Sequence, residues 1–195
     1  NGNKTITTGS GGMLVTNSKN IAKIAKHLSQ QAKSNNKQLI HNMIGYNYRM
    51  SNIHAALGLA QLKELNKILK KKKNISSFYY KKLSFYENIS FAQHYKNTTS
   101  SNWLISIKIN TRKIKLKIDD IVNKLLLKGI ATRKLWQPMH LSKPHKNCKY
   151  ITINNVSNSL YKTCLSLPSS AGLSKRDQIK VINTFKKILR LNEKS

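Results

Sequence analysis

The first thirteen residues, NGNKTITTGSGGM, constrain the fold more than any other stretch of the chain. They place Lys4 among small and hydroxyl-bearing residues, followed by a glycine-rich turn at residues 9–12 and an apolar run at residues 13–15. Glycine lets the backbone turn tightly and lets a ligand come close to it. A lysine in such a loop suits covalent attachment to an aldehyde, because its amine can lose a proton while nearby hydroxyls bond the ligand's oxygens.

Three alternatives compete with this interpretation of the loop. A Walker loop requires G-x-x-x-x-G-K-[ST], but the first glycine and the spacing are missing before Lys4. A dinucleotide fingerprint that starts at Gly9 requires a glycine at position 14, where the chain has Leu14. An ordinary glycine-rich hairpin between two short strands stays open on spacing alone.

Two further segments follow the lysine loop in a characteristic order. The sequence IGYNYRMSN occupies residues 44–52 and is followed by AALG at residues 55–58, while GIATRKLW occupies residues 129–136 and precedes Pro138 and His140. Together the three segments resemble the DegT/StrS-type sugar-nucleotide aminotransferases, a family of fold-type-I pyridoxal-phosphate enzymes. Ser10 departs from the family pattern, which has glycine there.

The resemblance implies a specific site and activity. Lys4 would carry pyridoxal 5'-phosphate and act as general base and acid, and Asn47 would reach the cofactor phosphate from the neighbouring subunit, with Arg49 adding charge to it. Arg133 and His140 would bind the substrate. The implied enzyme is a homodimer that transfers an amino group from glutamate to a nucleotide-linked 4-keto-6-deoxy sugar for surface-polysaccharide biosynthesis.

Several of these roles have alternatives. Asn47 also suits a turn, Arg49 can pair within its own loop, and Trp136 suits packing as well as it suits contact with a sugar. Relatives often carry an acidic residue near position 42, where this chain has the neutral Asn42, so the identity of the sugar stays open.

The resemblance also predicts how the chain is divided. In this family the ring-stacking aromatic, the aspartate facing the pyridine nitrogen and most phosphate ligands precede the lysine, so we expect the C-terminal half of a full-length member, inactive alone. The fold class is α/β, the C-terminal portion of a PLP-dependent transferase fold. Residues 1–70 would belong to the large cofactor-binding domain, residues 71–89 to a connecting helix, and residues 90–195 to a small C-terminal α/β domain.

The net charge of +30 offers a rival function. Thirty-six Lys and Arg residues stand against six Asp and Glu residues, a balance typical of nucleic-acid-binding modules. The lysines are dispersed, however, and no RNP-like aromatic signature accompanies them, so we expect no nucleic-acid partner. The dense run at residues 70–73 is expected to form a solvated helix face.

The remaining composition favours a cytoplasmic protein. Cys148 and Cys164 lack disulfide-framework spacing, which fits a reducing compartment. His140, His145 and Cys148 match no common zinc spacing, so we expect no metal. No run approaches the roughly 18 apolar residues of a membrane span, so we expect no membrane partner.

Periodicity and capping residues predict the elements in order. In the first third we expect a strand at 13–16, a helix capped by Asn17 or Ser18, an ordered loop at 38–50 and one long helix from Ser51 to Leu83. Thereafter we expect an alternating strand at 103–109, a helix that Asp119 and Asp120 begin and Gly129 stops, and a strand at 130–135. A loop at 136–150, a helix at 156–164 and an edge strand at 165–168 should follow. The last helix should be capped by Ser174 and should carry an apolar stripe of Ile179, Ile182, Phe185 and Leu189.

Overall fold

The computed structural model describes residues 2–35, 40–93 and 95–191. The chain divides into two compact units, Asn1–Asn66 and Lys67–Ser195. The sequence-based boundaries at residues 70 and 89, and the assignment of the first unit to a larger cofactor-binding domain, stay predictions.

The first unit contains two capped helices and a small hairpin. Its elements are α1 (Lys19–Ser29), β1 (Lys33–Asn35), β2 (Ile40–His41) and α2 (Asn52–Lys63). The hydroxyl of Ser18 accepts a hydrogen bond from the backbone N–H of Ile21, and the hydroxyl of Ser51 accepts one from that of His54, each at 3.4 Å. A serine oxygen at this position satisfies a backbone donor that the helix itself leaves unpaired. Both predicted caps are therefore confirmed.

Two predictions about strands in the first unit are wrong. Residues 13–16 form no strand, and Met13 and Val15 are 88% and 84% exposed. A strand needs a partner for its backbone groups, and the described residues offer this segment none. Conversely, the stretch expected to be a loop contains β2, whose His41 pairs antiparallel with Lys33 of β1. Residues 38 and 39 of that expected loop lie outside the described part of the chain.

Helix α1 has the predicted apolar spacing but buries none of its residues. Ile21 and Ile24 are 51% and 56% exposed, and Ala25 and Leu28 are half-buried, so the described residues cover the apolar face of α1 only in part. Ala32 lies beyond the end of the helix at φ +51° and is the one fully buried residue in the described part of this unit.

One long helix was expected from Ser51 to Leu83, but the structure has two. Helix α2 ends at Lys63, α3 spans Leu65–Leu83, and Glu64 lies between them at φ −90° and ψ −2°. The backbone N–H of Glu64 donates to the carbonyl of Gln61, three residues earlier, at 3.1 Å. This tightening of the last turn is common at helix ends and requires neither proline nor glycine, so no sequence signal marks it.

The lysine run on α3 is only partly solvated, which corrects the prediction of a solvated face. Lys72 is 5% exposed, and its Nζ donates hydrogen bonds to the carbonyl oxygens of Ser169 (2.8 Å) and Trp103 (3.3 Å). Burial lowers the pKa of Lys72. The helical period places Lys72 on the same side as Ile75 and Tyr79, so its stem lies on the buried face of the helix.

The second unit is built on a four-stranded antiparallel sheet. Its strands are β3 (Ile89–Phe91), β4 (Ile105–Ile109), β5 (Arg133–Lys134) and β6 (Cys164–Leu167), in the spatial order β3–β4–β6–β5. The predicted alternation is confirmed, because Ile105, Ile107 and Ile109 are buried while the residues between them are not. Strand β3 was not predicted.

The prediction that residues 165–168 form an edge strand is wrong. Strand β6 lies between β4 and β5, and all four of its residues are buried. Ser166 is also buried, although it lies on the sheet face opposite to Leu165 and Leu167, and its hydroxyl shares a 2.9 Å hydrogen bond with that of Ser106 on β4. A short apolar strand followed by Pro168 does not show which strands pair with it, because those strands lie far away in the sequence.

Besides α3, the helices of this unit are α4 (Thr111–Ile114), α5 (Ile118–Leu126), α6 (Val156–Thr163) and α7 (Lys175–Leu189), with 3-10 turns at Met139–Leu141 and Lys143–His145. The helices α5, α6 and α7 were predicted, whereas α4 was not. Gly129 follows α5 at φ +71°, as a helix stop requires. The capping box of α7 is confirmed, since the Ser174 hydroxyl accepts from the Asp177 N–H at 3.1 Å and donates to its Oδ2 at 2.6 Å.

The core lies entirely within the second unit. Sheet residues pack against α3, α5 and α7, with Tyr79, Phe185, Ile107, Ile121 and Leu165 among its fully buried members. On α7 the predicted stripe is confirmed for Ile182, Phe185 and Leu189, which are buried, but it is wrong for Ile179, which is 44% exposed. Gln178 and Val181 complete the buried face instead. Among the described residues, no helix is long and apolar enough to cross a membrane.

Candidate functional site

The lysine loop is an ordered turn held by short-range hydrogen bonds. The backbone N–H of Gly9 donates to the Thr7 hydroxyl at 2.9 Å, and the Thr8 hydroxyl donates to the carbonyl of Ser10 at 2.5 Å. Lys4 lies before these turns and is exposed. The two threonine hydroxyls therefore shape the loop that carries the exposed residue Lys4.

The loop is fastened to α2 by a second set of contacts. The N–H of Thr7 donates to Oε1 of Gln61 and the Gln61 Nε2 donates to the carbonyl of Thr7, each at 2.9 Å. A side chain at Gly58 would place its Cβ 2.7 Å from Cγ2 of Thr8, closer than real contacts allow. Glycine at position 58 is thus required for the loop to lie against the helix.

The segment that carries Asn47 and Arg49 is held to the end of α1. The N–H of Tyr46 donates to the carbonyl of Leu28 at 2.7 Å, and the N–H of Tyr48 donates to that of Ser29 at 3.1 Å. The rings of Tyr46 and Tyr48 stack with centroids 5.1 Å apart. Asn47 and Arg49 are exposed, so their side chains are available to a ligand.

Asn47 and Arg49 line a cavity of about 1100 Å³ in the first unit. The other described lining residues come from the glycine turn and the segment after it, from one side of α1 and from the start of α2: Ser10, Gly11, Gly12, Met13, Leu14, Val15, Thr16, Ala22, Ala25, Lys26, Ser29, Tyr48, Met50, Ser51 and His54. No carboxylate and no Lys4 occur in this described lining. Asn47 and Arg49 are therefore brought together, whereas Lys4 is not among the residues that line this cavity.

The donors at this cavity fit a phosphate group. The guanidinium of Arg49 and the ammonium of Lys26 supply positive charge, and the amide of Asn47 and the hydroxyl of Ser51 supply hydrogen bonds. With no described carboxylate to oppose them, an anion is favoured. The residues present thus fit the phosphate end of pyridoxal 5'-phosphate, and the exposed amine of Lys4 fits its aldehyde.

His54 is a lining residue that the sequence analysis did not single out. Its Nδ1 lies 3.0 Å from the hydroxyl of Ser51, and its ring lies 3.7 Å from the position that a Cβ on Gly9 would take. Its position three residues after the helix cap Ser51 was a usable signal, because the first turn of a capped helix faces the preceding loop. The ring connects α2 with the glycine turn.

Arg133 and His140 lie in the second unit on different elements. Arg133 is exposed on β5, and the neighbouring Lys134 is held by Asp119 at 2.8 Å and lies 4.3 Å from the ring centroid of Tyr161. Successive strand residues point to opposite faces, so Arg133 faces away from these anchors.

His140 is held in a cluster of aromatic and amide side chains. Its ring stacks on Tyr150 with centroids 3.7 Å apart, and its Nε2 lies 3.1 Å from Oδ1 of Asn158. Hydrogen bonds with Thr152 and Ser157 lower the pKa of Tyr150. His140 is therefore fixed in orientation, while the nearby Trp136 is 68% exposed with its ring 5.9 Å from that of Trp103.

Comparison with known families and proteins gives a consistent result. A profile described as the DegT/DnrJ/EryC1/StrS aminotransferase family matches residues 1–186. The GDP-perosamine synthase of Escherichia coli O157:H7 is 35% identical over 187 residues, which cover 94% of this chain and 50% of that protein. A UDP-4-amino-4,6-dideoxy-N-acetyl-beta-L-altrosamine transaminase of Campylobacter jejuni is 31% identical over 192 residues, which cover 95% of this chain and 50% of that protein. The chain spans about half the length of the curated relatives it matches.

Solved structures show the same fold. The aminotransferase TlmJ from Streptoalloteichus hindustanus superposes with a TM-score of 0.81 at 20% identity, covering 94% of this chain and 48% of that one. The predicted fold class, a C-terminal portion of this aminotransferase fold with mixed helices and sheet, is confirmed.

Proposed function

The chain belongs to the DegT/DnrJ/EryC1/StrS aminotransferase family, and on that premise we propose that it is the C-terminal part of a pyridoxal-phosphate-dependent sugar-nucleotide aminotransferase. The proposed reaction transfers an amino group from glutamate to a nucleotide-linked 4-keto-6-deoxy sugar, for the biosynthesis of a surface polysaccharide. The single observation that carries the proposal is the accessible Lys4 on an ordered loop, in a chain that matches the family over residues 1–186. Two of the relatives are named after nucleotide-linked amino sugars, one with GDP and one with UDP, which supports a nucleotide-linked sugar as substrate.

Pyridoxal 5'-phosphate, when bound, supplies the electron sink that lets an amino group pass between carbon atoms. The part of this chain is to hold the group and to move protons. Lys4 would attach it through Nζ, and the same Nζ would afterwards take up and return a proton. Asn47 and Arg49, which line the cavity with the phosphate-type donor set, would hold its phosphate.

The placement of Asn47 supports a homodimer. Asn47 and Arg49 line a cavity whose described lining does not include Lys4 of the same chain. This is the arrangement expected if the two residues serve Lys4 of a second copy. In the second unit, Arg133 would bind an anionic group of the substrate and the fixed ring of His140 a sugar hydroxyl. The free thiols of Cys148 and Cys164 support a cytoplasmic location.

The decisive experiment locates the cofactor on the chain. The full-length protein is incubated with pyridoxal 5'-phosphate, reduced with borohydride to fix the group covalently, digested and analysed by mass spectrometry. We expect the label on Lys4, and we expect Lys4→Ala to lose both the label and transamination while its circular dichroism spectrum is unchanged. Lys23→Ala, at another exposed lysine of the first unit, is the matched control and should keep both. A label on any lysine other than Lys4 would refute the assignment.

A further inference from the structure

The lysine loop is hydrogen-bonded to α2 through the side chain of Gln61, whose amide bonds both backbone groups of Thr7. Oε1 accepts from the Thr7 N–H and Nε2 donates to the Thr7 carbonyl, each at 2.9 Å, across 54 residues of sequence. Both residues are partly buried, so solvent competes less with these bonds than at an open surface. From these contacts we propose that Gln61 is a positioning residue for Lys4, an inference that rests on the proposed function.

The pairing restricts the loop more than one hydrogen bond would. A side-chain amide presents an N–H donor and a C=O acceptor on one edge, so Gln61 pairs with both backbone groups of Thr7 as one residue of a neighbouring antiparallel strand would. Two bonds from one planar group restrain both peptide groups that flank the Cα of Thr7, whereas a single bond would restrain only one of them. Thr7 lies three residues after Lys4 in the same loop.

Gly58 lies on the same side of α2 as Gln61 and also fixes the loop against the helix. We call Gln61 and Gly58 together the clamp. Gly58 lies three residues before Gln61, so the two positions share one helix face. The absence of a side chain there admits Cγ2 of Thr8, which would otherwise lie 2.7 Å from a Cβ. Loop residues 7 and 8 thus rest on this face, one held by hydrogen bonds and the other by close packing.

A fixed loop matters because Lys4 must present Nζ to the reacting carbon in one geometry. When the loop is ordered before the ligand arrives, its conformational entropy is not lost during attachment. Gln61 itself does not reach the reacting atoms in this picture. It acts through the backbone of Thr7, so its loss should slow attachment at Lys4 more than it lowers the stability of the protein.

The test compares three variants of the full-length protein. Gln61→Met keeps the length of the side chain and removes both hydrogen bonds, while Gln61→Glu keeps the acceptor for the Thr7 N–H and removes the donor. Lys63→Met, at an exposed position two residues later on α2, is the matched control. For each protein we would measure amide exchange of residues 2–12 without cofactor, the rate at which pyridoxal 5'-phosphate becomes reducible onto Lys4, and the melting temperature.

We expect Gln61→Met to speed exchange of the loop and slow attachment at Lys4, each roughly ten-fold, the net effect of one or two hydrogen bonds. Gln61→Glu should be intermediate and Lys63→Met should match the wild type. If amide exchange of the loop is unchanged in both Gln61 variants, Gln61 does not hold the loop. If loop exchange is faster but pyridoxal 5'-phosphate attaches to Lys4 at the wild-type rate, Gln61 does not position Lys4. If Gln61→Met does not fold, the same criteria apply to Gln61→Glu.

Failure of the proposed function would look different. In that case the wild-type protein itself would carry no label on Lys4, whatever the state of Gln61. The exchange measurement needs no cofactor, so it would still decide whether Gln61 orders the loop.

Discussion

The hydroxyl of Tyr79 donates a 2.9 Å hydrogen bond to the carbonyl oxygen of Pro168, which ties the buried face of α3 to the residue that follows β6. The Tyr79 side chain is fully buried, and burial raises its pKa. We expect Tyr79→Phe to lower the free energy of unfolding at neutral pH by about 1–2 kcal/mol, because the Pro168 carbonyl loses its donor. Urea denaturation of both proteins at pH 7 measures this difference.

The same pair predicts a pH dependence. Because the folded-state pKa of Tyr79 is above its unfolded value of about 10, the stabilisation is complete below pH 10 and is lost as the pH rises above it. The wild type should lose about 1.4 kcal/mol relative to Tyr79→Phe by roughly pH 11. The two unfolding free energies should therefore converge there. A difference that stays constant from pH 7 to pH 11 would contradict the burial of this phenol.

Gly45→Ala should loosen the segment that carries Asn47. A Cβ at position 45 would lie 2.5 Å from the backbone N of Ala32 and from the carbonyl carbon of Gln31, and backbone atoms cannot move aside as a flexible side chain can. The strain should amount to about 1–3 kcal/mol, the usual range for overpacking. Amide exchange over residues 28–34 should therefore become faster.

Gly2→Ala is the matched control for Gly45→Ala, because a Cβ at position 2 meets nothing within 4 Å. It should leave exchange over residues 28–34 unchanged. Equal amide exchange in Gly45→Ala, Gly2→Ala and the wild type would show that the close backbone contact at position 45 does not affect local stability.

Mixed dimers test whether Asn47 serves the second copy. If it does, Lys4→Ala and Asn47→Ala subunits are each defective in both sites, but a heterodimer rebuilds one intact site. We expect the mixture to recover up to a quarter of the wild-type activity, since about half of randomly paired dimers are mixed and each has one complete site. Subunit exchange must first be verified by native mass spectrometry. No recovery after complete exchange would assign Asn47 to its own subunit.

The chain as it stands should be unequally protected from amide exchange. Helix α1 has no buried residue and Met13 and Val15 are open to solvent, whereas the core lies wholly in the second unit. Each Å² of apolar surface left uncovered forgoes about 25 cal/mol. We therefore expect much faster exchange over residues 1–50 than over residues 100–190 in this chain.

Extending the chain to the length of its relatives supplies the comparison for that experiment. Exchange over residues 13–32 should then slow, while exchange over residues 100–190 should hardly change. Uniformly slow exchange along the unextended chain would contradict an incomplete first unit.

The parts of the fold that depend on local chemistry were predictable from the sequence. Ser18, Ser51 and Ser174 each cap a helix, because a serine oxygen meets a need that every helix start has. The alternation of isoleucines on β4 followed from the two-residue period of a strand. These rules involve residues close together in the sequence.

The features that were missed depend on distant partners. The central place of β6 is set by β4 and β5, and the burial of Lys72 is set by carbonyls 31 and 97 residues away. No periodicity in a single segment carries that information. The strand expected at residues 13–16 failed for the converse reason, because the described residues provide no partner for it.

The candidate site also has residues that the sequence predicted and residues that it did not. The family resemblance drew attention to Lys4, Asn47 and Arg49, and the structure brings the last two together at one cavity. The contribution of Gln61 was not visible in the sequence, since its partner Thr7 lies 54 residues away. His54 was visible only as a residue in the first turn of a capped helix.

The pairing of β4 with β6 delays the folding of the second unit while the chain is synthesised on the ribosome. Ser106 and Ser166 are 60 residues apart, so β4 has only β3 as a neighbour when it first emerges. At 5–20 residues per second, about 3 to 12 seconds pass before β6 has been synthesised. During that interval the nascent chain presents an isoleucine-rich strand with an open hydrogen-bonding edge, which is a surface prone to aggregation until β6 covers it.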